Sequence, residues 1–177
     1  MATVPTVAAG SVTGFRSVFV SGNEFATNGT VFTVDGQTNA REGQLKKGMI
    51  VLVNGTISED YKTSQTVQRT AKTILYEDTI EGPVQFVAPD GLSLIVLGQT
   101  VLINKSTIID PSVSTIGNLN QNDLVEVSGF VSGPGRVVAT LIDRKNSGEA
   151  TNYQVKGFIS QHDEARKLFT IGSLEVN

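Results

Sequence analysis

The sequence contains no cysteine, which excludes disulfides, thiolate nucleophiles and zinc or iron sites held by cysteine. It contains no tryptophan and a single histidine, His162. No apolar run approaches the roughly 20 residues that a membrane-spanning helix needs. The longest runs, Met49–Val53 and Leu92–Leu97, have the length of strands. We therefore expect no transmembrane segment.

Charge is also scarce, because charged residues make up 18% of the chain against roughly 25% in an average soluble protein. The formal net charge is −3, whereas proteins that bind nucleic acids usually carry a basic face. The pair Lys46-Lys47 is a local concentration of positive charge, and a solvated turn accounts for it. The sequence therefore predicts no nucleic-acid partner.

The chain is rich instead in glycine, with 18 residues, and in uncharged polar residues, a composition that suits strands and tight turns. Apolar and polar residues alternate clearly around Val125 and Val127, and no segment shows a convincing helical period. We predict an all-β protein.

An internal repeat organises the strands. The runs Leu45–Gly55 and Leu119–Gly129 share one skeleton: Leu, two polar residues, Gly or Asn, one residue, an apolar residue, Val, one residue, Val, one residue, Gly. Gly48 and Asn122 are the residue types that best tolerate positive φ, which predicts a left-handed corner before a strand. With the flanking strands, each full unit reads as a five-stranded OB-like small barrel with a short helical turn before the fourth strand. The predicted strands of the first unit are Ser11–Ser21, Glu24–Thr27, Thr30–Val34, Met49–Ile57 and Gln68–Glu77. Those of the second unit are Thr79–Val87, Leu92–Leu97, Thr100–Ile103, Asp123–Ser132 and Arg136–Arg144.

This repeat predicts the domain organisation. A flexible leader at residues 1–10, of the kind that follows a removed signal peptide, precedes OB-like repeats at 11–78 and 79–145. A linker at 146–152 leads to a partial third OB-like repeat at 153–177. That repeat supplies about three strands, Tyr153–Gln161, Lys167–Ile171 and Leu174–Val176. It lacks the Leu…Val-x-Val element, so two strands of its barrel are missing.

The incomplete third repeat predicts a contact site. Apolar residues recur in it at strand spacing: Val155, Phe158, Ile159, Phe169 and Ile171. An open sheet would leave them partly bare, and open sheet edges pair readily with other strands. Either the chain is part of a longer protein and the segment docks on the second repeat or frays, or a neighbouring molecule supplies the missing strands. We therefore place a protein partner, or self-association, at Tyr153–Asn177.

Candidates for chemistry are few. His162 lies beside Asp163 and Glu164, a combination that could bind a metal or act as a base, but the run is typical of a polar hairpin loop. No nucleophile–base pair and no cluster of metal ligands is visible. We predict no catalytic residues, no metal, no cofactor and no enzymatic activity.

Ligand binding is predicted from aromatic residues. OB barrels stack sugars or nucleic-acid strands on aromatics of their second and third strands. Phe25 and Phe32 fall there in the first repeat, with core packing as the alternative explanation. Tyr61, in the polar loop Ser58–Thr66, is the aromatic that we expect to be exposed. These three residues are the candidates for ligand contact.

Several motifs follow one another in a familiar order. They are Gly14-Phe15-x-Ser17-Val18-Phe19-Val20-x-Gly22-x-Glu24-Phe25-x-Thr27, Thr33-Val34-Asp35-Gly36, Leu45-x-x-Gly48-Met49, Glu81-Gly82-Pro83-Val84 and Val96-Leu97-Gly98-Gln99-Thr100-Val101. Because of these motifs, the region from Ser11 to Asp143 resembles a bacterial family of unknown function. That family is made of tandem OB-like repeats in exported proteins and lipoproteins. The segment from Tyr153 to Asn177 resembles it weakly. One departure is Arg16, where that family usually has glycine at a turn.

The resemblance implies an OB-like fold and export to the periplasm or the cell surface. It leaves open a lipid anchor upstream of residue 1, and it implies no activity and no site residues. The predicted function is a non-catalytic structural or interaction module of the bacterial envelope, assembling through strand pairing into oligomers or fibres. The alternative is a carbohydrate- or other ligand-binding OB-fold protein, which would need a groove with two or more exposed aromatics.

Overall fold

The computed structural model describes residues 3–59, 67–146 and 152–177, and the chain divides into two compact units, Met1–Glu77 and Asp78–Asn177. Within these described residues the secondary structure consists of strands and two short 3-10 turns, without an α-helix. The all-β prediction is confirmed. Neither helical turn has the length or the hydropathy to cross a membrane.

The first unit is a small barrel with two further strands. Its strands are β1 Thr3–Gly14, β2 Val18–Val20, β3 Asn23–Phe25, β4 Val31–Val34, β5 Gln37–Ala40, β6 Ile50–Glu59 and β7 Val67–Tyr76. They pair in the order β3-β2-β1-β6-β7-β4-β5. A parallel bridge from Ala26 to Thr70 joins the end of β3 to β7 and closes five of the strands into barrel 1.

The second unit begins with a barrel of the same topology. Its strands are β8 Ile80–Val87, β9 Ser93–Val96, β10 Gln99–Leu102, β11 Ile108–Ile109, β12 Leu124–Gly133 and β13 Arg136–Arg144. They pair in the order β10-β9-β8-β12-β13-β11, and β10 also pairs in parallel with β13, with Thr100 opposite Arg136. This pairing closes β8, β9, β10, β13 and β12 into barrel 2.

Both barrels have apolar cores. In barrel 1 the side chains of Val12, Val18, Val20, Phe25, Val51, Val53, Ile74 and Tyr76 are at most 1% exposed. In barrel 2 the same holds for Ile80, Val84, Leu94, Val96, Val101, Val125, Val127, Val137 and Ile142. The repeated Val-x-Val of the sequence therefore lies at equivalent, buried positions of β6 and β12.

The predicted left-handed corner is present in both barrels. Gly48 and Asn122 have φ values of +93° and +72°. The corner exchanges a pair of backbone hydrogen bonds with the first strand of its barrel: in barrel 1, residues 48 and 49 bond with Val12, and in barrel 2, residues 122 and 123 bond with Val84. The corner thus fixes the fourth strand against the first.

The shared skeleton ends in glycine because two backbones approach closely at this position. Gly55 and Gly129 each follow a shift in register between the fourth and fifth strands of their barrel. A Cβ atom at Gly55 would lie 2.2 Å from the carbonyl oxygen of Thr70, and one at Gly129 would lie 2.5 Å from that of Val138. Only glycine permits this approach of two backbones at the β-bulge.

Two predictions at the start of the chain are wrong. The expected flexible leader is the first part of β1, in which Thr3 to Ser11 pair with Ile50 to Ser58 of β6. Small uncharged residues suggested flexibility, but Thr and Val are strand formers and β6 offers them an edge. The expected single strand Ser11–Ser21 breaks at Arg16, whose φ of +91° makes a turn.

The third segment, Tyr153–Asn177, contributes β14 Gln154–Val155, β15 Ile159–Asp163, β16 Leu168–Ile171 and β17 Leu174–Val176. The predicted strand Tyr153–Gln161 is therefore divided in two. Most of the predicted linker, residues 147–151, lies outside the described residues.

Candidate interaction site

The third segment begins as an added strand on barrel 2. In β14, Gln154 pairs with Glu81 and Val155 with Ile80, antiparallel to β8. The backbone N–H of Lys156 donates to the carbonyl of Thr79 at 2.8 Å, and the side-chain amide of Gln154 donates to the carbonyl of Asp78 at 2.6 Å. Val155 also packs against the barrel 2 core. This pairing holds the start of the segment.

A second attachment joins the β16–β17 turn to the β9–β10 turn of barrel 2. Ser173 donates to the carbonyl of Gly98 through its backbone N–H at 3.1 Å and its hydroxyl at 3.0 Å. Gln99, which is 1% exposed, donates from Nε2 to the carbonyls of Ile171 and Leu97. A Cβ atom at Gly172 would lie 2.7 Å from the amide oxygen of Gln99, so the two turns nest closely.

Beyond these attachments, β15, β16 and β17 form a separate three-stranded antiparallel sheet, the open sheet, with β15 and β17 at its edges. Ile159 pairs with Ile171, and Phe169 pairs with Val176. Because residues paired across antiparallel strands share a face, and alternate residues along a strand do too, these four side chains lie together. We call them the apolar face.

The open sheet repeats the first three strands of each barrel. The pair Ile159–Ile171 corresponds to Val12–Val20 in barrel 1 and to Val84–Val96 in barrel 2, and in each case a two-residue turn follows the second member. Gly157, two residues before Ile159, matches Gly10 and Gly82.

The matched residues differ in exposure. Val12 and Val84 are 1% and 0% exposed, whereas Ile159 is 63% exposed. The other members of the apolar face, Phe169, Ile171 and Val176, are half-buried, whereas their counterparts in barrel 2, Leu94, Val96 and Val101, are fully buried. The open sheet therefore presents an apolar surface of the kind that the barrels enclose.

The opposite face of the open sheet is polar and forms an open cleft of about 870 Å³. Its lining residues are Gln161, His162, Asp163, Glu164, Arg166, Leu168, Thr170, Gly172, Ser173 and Glu175. His162 is exposed here, but it lies in β15 and not in the hairpin loop that the sequence predicted. In the part of the chain that the structure describes, His162 belongs to no group of three convergent His, Asp or Glu side chains.

A partly buried ion-pair cluster supports barrel 2 close to β14. The ammonium of Lys145 lies 2.9 Å from a carboxylate oxygen of Glu126 and 3.8 Å from one of Glu81. Burial by itself would lower the pKa of Lys145. The hydrogen bond and the charge of Glu126, together with the charges of Glu81 and Asp78, outweigh that effect and hold the pKa of Lys145 above its ordinary value. The cluster fixes the end of β13 to β12 and β8.

The structure describes two of the three aromatic candidates. Phe25 and Phe32 are 1% and 7% exposed, which favours their core-packing explanation, and Phe32 lies in β4 rather than in the second or third strand of barrel 1. Tyr61 lies outside the described residues. A second open cleft, of about 380 Å³ in the first unit, is lined by Glu24, Ala26, Val67, Gln68, Arg69 and Thr70. Neither cleft is lined by an aromatic side chain.

The sequence indicated an incomplete third segment but not the residues that attach it to barrel 2. Gln99 stands in one of the family motifs, but a polar residue after a hairpin turn gives no sign of such a contact. The signal that could have found it is comparison with the first repeat, where Asn23 stands at the same place after the Ser21-Gly22 turn.

The family match covers the two copies of the internal repeat. The family model described as a domain of unknown function, DUF5666, matches residues 9–62 and 81–143, which is more than half of the chain. No curated protein and no solved structure matches. The two matched segments contain the shared skeleton of barrels 1 and 2, and the open sheet lies beyond them.

Proposed function

Because the chain belongs to the DUF5666 family of domains of unknown function, we propose its function from its own geometry: it is a non-catalytic interaction module that joins another polypeptide through the open sheet. The observation that supports this is the apolar face, with Ile159 63% exposed where its counterparts are buried. Exposed apolar surface next to open strand edges is typical of protein contact sites.

In this proposal the two barrels are OB-like repeats and serve as a platform. The argument for OB-like repeats is topological. The first strand pairs with the second and the fourth, and the third strand pairs in parallel with the fifth. A 3-10 turn precedes the fourth strand in each barrel, at Glu42–Gln44 and Ile116–Asn118. The open sheet then corresponds to the first three strands of a third repeat.

We further propose that the protein is an exported component of the bacterial envelope or cell surface. The support is the resemblance of its ordered motifs to exported proteins and lipoproteins. Fractionation of the bacterium that makes the protein tests this proposal: we expect the protein in the periplasmic or surface fraction. Its recovery from the cytoplasm would overturn the location.

Strand pairing at the edges of the open sheet would assemble the module into oligomers, fibres or complexes with a partner. The alternative, binding of a carbohydrate or another small ligand, requires a groove with exposed aromatics. The exposed aromatic side chains of the described residues, among them Phe86 and Phe130, line neither cleft. The open sheet is therefore the better-supported site.

A photo-crosslinking amino acid placed at Ile159 in the living cell tests the interaction. We expect adducts to a polypeptide from this position, and none from the matched position Glu175, which is exposed on the polar face of the same sheet. Light scattering of the purified protein shows whether the partner is a second copy. Absence of adducts at Ile159, together with a monomer at every concentration, would contradict the proposed function.

A further inference from the structure

We propose that Asn28 is a site of spontaneous covalent modification, at which the side-chain amide is lost as ammonia and the residue becomes aspartate or isoaspartate. The backbone nitrogen of Gly29 attacks the side-chain carbon Cγ of Asn28. A new N–C bond forms, the bond from Cγ to Nδ2 breaks, and ammonia leaves with the proton that the nitrogen of Gly29 gives up. Water then opens the resulting cyclic imide at either of its carbonyls, which gives aspartate or isoaspartate.

This reaction has two structural requirements. The residue after asparagine must leave its nitrogen accessible, and glycine does so best because it has no Cβ atom. The backbone must also be free to rotate toward the side chain, which it cannot do while it is held in a hydrogen-bonded ladder. Asparagine is followed by glycine at two positions of the chain, Asn28-Gly29 and Asn54-Gly55. The two positions differ in the second requirement.

Asn28 and Gly29 meet both requirements. They form the exposed turn between β3 and β4, in which the N–H of Thr30 donates to the carbonyl of Thr27 at 3.1 Å. Within the described residues, the N–H of Gly29 donates to no acceptor. A Cβ atom placed on Gly29 would have nothing within 4 Å, so the turn has open space in which to rotate.

Asn54 and Gly55 are the same residue types in the opposite environment. Asn54 lies within β6, paired with Val7 of β1 on one side and with Thr73 of β7 on the other. Its side-chain amide donates to the hydroxyl of Thr73 at 3.2 Å, and Gly55 is buried. The imide can form here only after β6 has separated locally from its neighbours. We therefore expect the fold to protect Asn54.

Asn104 in barrel 2 is a second internal control. It lies in an exposed turn before Thr107, whose hydroxyl donates to the carbonyl of Ala139 at 2.8 Å, and the threonine after the Asn28 turn makes the equivalent bond in barrel 1. Here the next residue is Lys105, whose side chain hinders approach to its nitrogen. The amide oxygen of Asn104 also accepts a backbone N–H of the same turn at 2.8 Å. This turn therefore meets the requirement of exposure but not that of glycine.

The modification would act on the closure of barrel 1, because the Asn28-Gly29 turn lies between two attachments to β7. Ala26 donates its N–H to the carbonyl of Arg69 and accepts that of Ala71, both at 2.9 Å. The hydroxyl of Thr30 donates to the carbonyl of Ala71 at 2.8 Å. Isoaspartate routes the backbone through the former side chain and lengthens it by a methylene group between these attachments. We expect it to loosen this end of barrel 1, whereas aspartate changes only an exposed charge.

Peptide mapping by mass spectrometry of the purified full chain, aged at mildly alkaline pH, tests the site. In the folded protein we expect Asn28 to deamidate at least about tenfold faster than Asn54 or Asn104. In denaturant the ladder is lost, and Asn28 and Asn54 should react within about twofold of each other. The variant Asn28→Gln keeps the amide but would have to close a larger ring, so we expect it to remain intact.

Hydrogen exchange resolved by residue tests the effect on barrel 1. In the isoaspartate form, the amides of Ala26 and Ala71 should exchange at least about tenfold faster than in the fresh protein. The control Asn28→Asp has the aspartate product without the longer backbone, and its exchange should stay within about twofold. Equal rates at Asn28 and Asn54 in the folded protein, or an intact Asn28 under conditions in which the denatured chain reacts, would overturn the site. Unchanged exchange in the isoaspartate form would overturn the effect on barrel closure.

Discussion

Barrel 2 and the open sheet contain the same three-stranded unit in two environments. Val84 and Ile159 occupy the same register, each paired with an apolar residue that precedes a two-residue turn, yet Val84 is 0% and Ile159 63% exposed. The difference lies in the fourth and fifth strands. The comparison teaches that three strands suffice to set the register in this fold, whereas burial comes from the hairpin that covers them.

The comparison also shows how an uncovered sheet stays attached. Full burial of a Val or Ile side chain contributes about 1.5–3 kcal/mol, and barrel 2 gains this at several positions of the unit. The open sheet gains little of this burial free energy at Ile159. It relies instead on the pairing of β14 with β8 and on the hydrogen bonds of Gln99 and Ser173.

A carboxylate placed at Val84 and one placed at Ile159 should differ most in their effect on the free energy of unfolding. Val84→Asp buries an unpaired carboxylate in a small core, and we expect it to cost more than about 4 kcal/mol and to unfold barrel 2. Ile159→Asp should change stability by less than about 0.5 kcal/mol because its carboxylate remains in water. Chemical denaturation followed by circular dichroism measures both. Equal effects of the two variants would refute the comparison.

The fold was largely predictable because the same sequence pattern occurs in both barrels. The shared skeleton from Leu45 and from Leu119 predicted the left-handed corner and the strand that carries Val-x-Val, and both are present in the two barrels. It also contained the final glycine, but the β-bulge that requires this glycine was not predicted. The strands of the second repeat were also close to their predicted bounds. The division of Ser11–Ser21 was harder to foresee, because Arg16 adopts positive φ without being glycine.

The incompleteness of the third segment was predictable from the sequence, but the contacts that attach it to barrel 2 were not. The missing Leu…Val-x-Val element indicated that Tyr153–Asn177 was incomplete. The contacts that hold it, between Gln99 and Ile171 and between Ser173 and Gly98, join residues more than 70 positions apart and leave no periodic signal. The role of the first residues was missed for a similar reason, since their partner strand β6 lies about 50 positions away.

Removal of the ion-pair cluster of barrel 2 should give the next largest loss of stability. Among the described residues, the open sheet contains no corresponding ion pair. Lys145→Ala leaves Glu126, which is 6% exposed, without its cation. We expect a loss of about 3 kcal/mol, since removal of one partner from a buried pair strands the other charge. Chemical denaturation measures the loss. A matched change of Lys167, an exposed cation of the third segment, to Ala should have almost no effect.

The same cluster predicts a pH dependence. The folded pKa of Lys145 lies above the ordinary value of 10.5, so folding favours the protonated ammonium. The stabilisation is therefore fully present below pH 10.5 and is lost as the pH rises through the folded pKa. We expect the alkaline loss of barrel 2 stability to be smaller in Lys145→Ala than in the unchanged protein. An identical alkaline profile for the two proteins would contradict the role of the ion pair.

Gly129 in barrel 2 and Gly157 before the open sheet have similar close contacts, so alanine at each position compares how firmly the two regions are packed. A Cβ atom at Gly129 would lie 2.5 Å from the backbone oxygen of Val138, and one at Gly157 would lie 2.5 Å from the side-chain Cγ2 of Ile171. Backbone inside a closed barrel cannot move aside, whereas a half-buried side chain of the open sheet can. We expect Gly129→Ala to cost about 2 kcal/mol and Gly157→Ala less than about 0.5 kcal/mol in denaturant unfolding. Similar costs would mean that the open sheet is packed as firmly as the barrel.

The smallest expected effect on global stability concerns the attachment of the open sheet. Gly172 has a φ of +61°, and a Cβ atom there would meet Gln99 at 2.7 Å and Gly135 at 2.8 Å. Gly91 has a φ of +68° with nothing within 4 Å, so Gly91→Ala carries the backbone strain without the collision. Gly91→Ala should therefore lower barrel 2 stability by about 1 kcal/mol and leave the third segment in place.

Gly172→Ala should instead loosen the third segment and leave barrel 2 stable, because the added methyl group pushes the β16–β17 turn away from barrel 2. The amide of Ser173 would then lose its acceptor, the carbonyl of Gly98, and exchange with solvent faster, while the unfolding of barrel 2 changes by less than about 0.5 kcal/mol. Hydrogen exchange resolved by residue measures both quantities in the two variants. Unchanged protection of Ser173 in Gly172→Ala would show that the pairing of β14 with β8 holds the open sheet without help from the turn.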